Sequence, residues 1–96
     1  GQEIPVFDNS EKTLAELKQR IAKTIAFISS VPAAQIDGSE DKAIVTRRGD
    51  KETHYTGMQF LLGHAIPNFY FHVSAAYNIL RHNGVEVGKR DFLGNP

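Results

Sequence analysis

The chain has 96 residues, with eleven Lys and Arg balanced by eleven Asp and Glu, and no cysteine. That length suits one small domain with a single core, and a net charge of zero provides no long-range field to gather nucleic acid or an anionic membrane surface. Lacking cysteine, the chain has no disulfide, thiolate metal site or cysteine nucleophile, which fits a reducing, cytoplasmic setting.

The chain begins at Gly1, as a processed chain or a fragment would, and no basic stretch followed by an apolar run marks a signal peptide. Asp8-Asn9-Ser10 offers side-chain acceptors for the free N–H groups of a helix start. Two capping-box spacings compete there, Asp8 with Glu11 and Thr13 with Glu16. Leu14, Leu17, Ile21, Ile25 and Ile28 then recur at three- and four-residue steps among charged neighbours, which predicts an amphipathic helix ending before Pro32. The stretch 32–41 carries turn residues and reads as a surface connection.

Ala43-Ile44-Val45-Thr46 and Thr53-His54-Tyr55-Thr56 flank the polar segment Arg47-Arg48-Gly49-Asp50-Lys51, the pattern of a short β-hairpin. Arg48-Gly49-Asp50 also spells an adhesion tripeptide, but Gly-Asp in a charged loop is ordinary hairpin chemistry. Thr56-Gly57-Met58-Gln59 has the spacing of a capping box and opens a second helix. This helix meets its first charge only at Arg81 and ends at Asn83-Gly84, where glycine readily takes the left-handed conformation. Pro67 removes one backbone donor, and its ring faces the carbonyl of Gly63, so a kink is expected between them.

The uncharged run is long enough to suggest a membrane span. Gln59, His64, Asn68, His72, Ser74 and Asn78 are scattered through it, however, and no aromatic belt with basic flanks marks both ends. The run reads instead as a helix covered on most sides, which one amphipathic helix and a hairpin cannot achieve. Either a further segment is missing or two copies pair through residues 57–83 as a homodimer.

Among candidate chemical groups, His64, Asn68 and His72 follow one another at four-residue steps. His64 and His72 stand about 12 Å apart along an ideal helix and cannot share one metal ion. In the tail, Lys89 and Arg90 form a basic pair able to hold an anion; alternatively Phe92 and Leu93 fold back while the basic pair stays wet. His64, Tyr70 and Tyr77 are candidates to line an apolar pocket for a small molecule.

The stretch 61–72 (LLGHAIPNFYFH), followed by 77–85 (YNILRHNGV) and 88–94 (GKRDFLG), resembles a microbial family without established activity in the DinB/YfiT-like superfamily of four-helix bundles. The Ile4-Pro5 start and the helix from Glu11 to Ile28 fit as well. The resemblance implies a mainly α, DinB-like fold. Two long antiparallel helices, about 10–31 and 57–83, would be joined by a hairpin at about 43–56, forming half of a four-helix bundle in one truncated domain that resembles the family's C-terminal portion. Many relatives in the superfamily hold a divalent metal, zinc or nickel, through three histidines, and some are thiol-dependent transferases or isomerases. The resemblance places Asn68 and His72 at two of those ligand positions, with Asn standing where an imidazole would be. These readings lead to a bundle protein without catalysis of its own, with a metal-dependent thiol transferase or isomerase and a small-molecule binding bundle as alternatives.

Overall fold

The computed structural model describes residues 3–94 and divides the chain into two compact units, Gly1–Gly38 and Ser39–Pro96. In the first unit, helix α1 spans Leu14–Ser30. Its N-cap is Thr13, whose hydroxyl accepts the Glu16 N–H at 3.2 Å, while the Glu16 carboxylate accepts the Lys12 N–H at 2.5 Å. The upstream acceptors serve other groups, the Asp8 carboxylate accepting the Ser10 hydroxyl at 3.0 Å. Arg20 donates to the Asp8 carbonyl at 3.2 Å and to Asn9 Oδ1 at 3.1 Å, and pairs with Glu11 at 3.0 Å. The Arg20 guanidinium also lies 5.1 Å from the centre of the Phe7 ring, with the Lys23 ammonium at 5.2 Å from it. A short 3₁₀ turn, Ala33–Gln35, follows α1.

The second unit opens with an antiparallel hairpin of β1, Ala43–Arg48, and β2, Lys51–Thr56. Its two-residue loop has Gly49 first, at φ 61°, the position where a type II′ turn takes glycine. The strands extend beyond the β-branched runs because polar partners face each other near the turn. Arg47 is registered opposite Glu52, and their side chains pair at 3.0 Å.

From β2 the chain enters a long helix without a connecting loop. Gly57–Phe60, Leu61–Ala65 and Ile66–His82 follow in unbroken right-handed geometry and together form α2, the middle stretch being π-helical. Thr56 and Gln59 complete the capping box, with Gln59 N–H to Thr56 Oγ1 at 3.2 Å and Thr56 N–H to Gln59 Oε1 at 2.9 Å. Removing this cap in Thr56→Ala should lower stability by about 1 kcal/mol in urea unfolding, and Thr56→Ser should retain most of it. At the other end Val85 donates to the Leu80 carbonyl at 3.1 Å and Gly84, at φ 90°, donates to Arg81 at 3.0 Å, the paired bonds of a Schellman ending. A last helix, α3, spans Lys89–Leu93, and the Asp91 carboxylate accepts the Gly88 N–H at 2.7 Å ahead of it.

The expectation of two long helices joined by a hairpin, as half of a bundle, is not what the chain forms. Among the described residues three α-helices accompany the two-stranded sheet. α1 begins at Leu14 rather than near residue 10, because Asn9 and Glu11 bind Arg20 and the Asp8 carboxylate accepts the Ser10 hydroxyl at 3.0 Å, which leaves Thr13 to cap the helix. In α2 the irregularity before Pro67 is a π turn, in which the Ile66 N–H reaches back five residues to the Leu61 carbonyl. The tail adds a helix of its own because Asp91 satisfies its first free donor.

Candidate functional site

Among the described residues no side chain is buried, and the least polar element is among the most open. Phe69 and Phe71 on α2 are 60% and 68% exposed, and Leu62, Ile66, Tyr70, Ile79 and Leu80 are exposed with them. Between Gly57 and Leu80 there is no Asp, Glu, Lys or Arg. No helix among the described residues is long and apolar enough to cross a membrane.

Asn68 and His72 lie one turn apart within Ile66–His82, both exposed. The His72 ring stands edge-on to Phe71, with centroids 5.2 Å apart. Together they offer one imidazole and one amide. No group of three or more His, Cys, Asp or Glu gathers among the described residues. An amide oxygen is a weak replacement for a neutral imidazole, and a protein site for zinc takes at least three good donors. The donors on this chain therefore do not by themselves fit the metal that the superfamily resemblance implies.

The three aromatic and imidazole side chains expected to line one pocket lie in different surroundings. His64 packs against Phe60 at 5.2 Å and Tyr55 of β2 at 6.3 Å, closing a small cluster in which Tyr55 and Phe60 meet edge to face at 5.6 Å. Tyr70 is exposed and contacts Phe69 at 5.5 Å. Tyr77 is half-buried against Phe92 of α3, with ring centroids 5.4 Å apart at 76°. Phe92 thus folds back as the tail's apolar residues suggested, whereas Leu93 remains 64% exposed.

Tyr77 and Phe92 form one side of an open recess of about 250 Å³ whose other lining residues are Ser74, Asn78, Arg81 and Lys89. His64 and Tyr70 are not among its lining residues. The lining contains two cations, two hydroxyls and an amide, and no carboxylate. A second recess, about 290 Å³, belongs to the first unit, where the Arg20–Glu11 pair and Lys23 surround Phe7. Its two cations share the lining with three carboxylates, Asp8, Glu11 and Glu16, of which Glu11 pairs with Arg20 at 3.0 Å.

The sequence profile of the family described as "Domain of unknown function (DUF1993)" matches residues 1–93. The chain belongs to this family. A solved crystal structure, described as a DinB family member protein from Shewanella denitrificans, is 47% identical to this DUF1993 chain and superposes on it with a TM-score of 0.85. The alignment covers 96% of this chain and 51% of that one, so the DUF1993 chain spans about half the length of its solved relative. No match was found among curated proteins. The fold is thereby DinB-like, and neither comparison assigns a catalytic activity.

Proposed function

We propose that this chain is an assembly module whose α2 helix pairs with a second copy of itself, and that the chain alone carries out no reaction. The observation that supports this reading is the open, uncharged surface from Gly57 to Leu80. Fully burying one Phe, Leu or Ile side chain contributes about 1.5–3 kcal/mol, and several such side chains lie along α2. A second copy brings the same uncharged surface, so a twofold contact can cover apolar groups on both sides without stranding a charge. The solved relative is about twice as long, and a further segment of that kind would compete for the same surface.

Sedimentation equilibrium or light scattering tests the proposal. A homodimer at low micromolar concentration is expected, and a well-folded monomer under those conditions would overturn it. The same sample tests the metal reading. Zinc or nickel added at one equivalent should leave the chain unbound after desalting; stoichiometric retention that is lost in His72→Ala would instead favour a metal-dependent transferase with His72 and Asn68 among its ligands.

A further inference from the structure

We propose that the recess between α2 and α3 binds a small organic oxyanion, a phosphate or carboxylate carried on an aromatic or apolar body. The lining supplies the two things such a ligand requires. Arg81 and Lys89 form no ion pair with any described residue, and the nearby Asp91 carboxylate is engaged by the Gly88 N–H at 2.7 Å. Two unmatched cations in a recess lined without a carboxylate attract an oxyanion, and charge-assisted hydrogen bonds are stronger than neutral ones. Arg81 can grip two oxygens with its planar fork while Lys89 acts as a point charge.

The apolar part of the ligand is read from the other side of the recess. The Tyr77 and Phe92 rings meet edge to face and give it a ring-lined wall. The Tyr77 hydroxyl is shielded from solvent and has no hydrogen-bond partner among the described residues. A buried hydroxyl without a partner is unfavourable, and a ligand oxygen would satisfy it once a shift of the Tyr77 ring opens it to the recess. Ser74 and Asn78 add neutral donors one turn or less from Tyr77 and Arg81 on the same helix.

The order of the chain explains why these groups meet. Gly84 ends α2 with a Schellman turn, and Asp91 holds Gly88 at the start of α3, so Lys89 and Phe92 return to the side of α2 that carries Tyr77 and Arg81. This site lies wholly in the second unit; Ser74, Tyr77 and Asn78 belong to the Gly57–Leu80 stretch proposed to pair, whereas the two cations and Phe92 lie beyond it.

Titration of the isotopically labelled whole chain with phenyl phosphate, followed by amide NMR, tests the inference against sodium chloride of equal ionic strength. Saturable shifts centred on Tyr77, Asn78, Arg81 and Lys89 are expected, with inorganic phosphate and benzyl alcohol each at least about tenfold weaker because each lacks one half of the ligand. Benzoate in place of phenyl phosphate distinguishes a carboxylate site from a phosphate site, and saturable binding of either supports the proposal. Arg81→Gln and Lys89→Gln should each weaken binding by about tenfold, with the rest of the spectrum unchanged. Shifts no larger than those caused by chloride, shifts spread over Arg47, Arg48 and Lys51, parity of inorganic phosphate with phenyl phosphate, or full affinity in the double variant would each overturn it. Should a variant fail to fold, the shift map of the unmodified chain decides.

Discussion

Replacing Phe69 and Phe71 together by glutamate is expected to convert a dimer into a folded monomer. The two residues are neighbours but one on a helix, so they point to roughly opposite sides at about 100° per residue, and the pair covers α2 whichever side meets its partner. At 60% and 68% exposure, both rings lie largely outside the chain's own packing, and substituting them removes little from the isolated fold. In a twofold contact each ring counts twice. Losing about 1.5–3 kcal/mol at each buried copy, together with desolvation of the introduced carboxylates, weakens association by about 1,000-fold or more. Arg48→Gln, at the hairpin turn, should leave association unchanged. Dilution of the unmodified chain gives a second readout, since pairing makes the melting temperature rise with protein concentration. A melting temperature independent of concentration, in a folded monomer, would rule the pairing out.

Local chemistry was legible in the sequence wherever one residue type had one task. Thr56 and Gln59 form the capping box that their spacing specifies, and Asn83-Gly84 closes α2 as read. The N-terminus of α1 was not legible. Asp8, Thr13 and their glutamates are equally good caps by spacing, and the choice is made by Ser10, which engages the Asp8 carboxylate, and by Arg20, which takes Glu11 from nine residues away. The π turn over Leu61–Ala65 escaped for a different reason. Apolar residues surround the helix there, so periodicity carries no phase from which an extra residue in the turn could be noticed.

Among the candidate site residues, Asn68 and His72 were readable as a one-turn pair because helix geometry alone sets their spacing. Grouping His64 and Tyr70 with Tyr77 rested on aromatic character. That property does not say which partner a ring finds, and His64 packs beside Tyr55 from the hairpin. The recess residues were present only as scattered signals, namely the charge at Arg81 that ends the apolar run and the basic pair in the tail. The intervening turn at Gly84 and Gly88, which brings Lys89 and Phe92 back to α2, has no periodic signature.

Gly57→Ala should be the most damaging single-methyl change in the second unit. Gly57 is the first residue of α2, and an added Cβ would stand 1.9 Å from the Ser39 carbonyl oxygen and 3.0 Å from its carbon. Both are backbone atoms, so no rotamer change relieves the clash. The Glu40 carbonyl lies 3.3 Å from the same Cβ position and accepts the Met58 N–H at 2.9 Å, so moving the 39–40 segment away also breaks the bond that ties it to the helix start. The expected loss is about 3 kcal/mol or more, beyond the usual range for an overpacked site, because strain and a lost hydrogen bond add. Gly63→Ala is the internal comparison. A Cβ there meets nothing within 4 Å, and replacing a helical glycine with alanine gains up to about 1 kcal/mol from helix propensity. Urea unfolding of the two variants at one fixed protein concentration should therefore move the midpoint in opposite directions. Equal midpoints would mean that Ser39 and Glu40 do not hold the start of α2, and that the hairpin alone positions the helix.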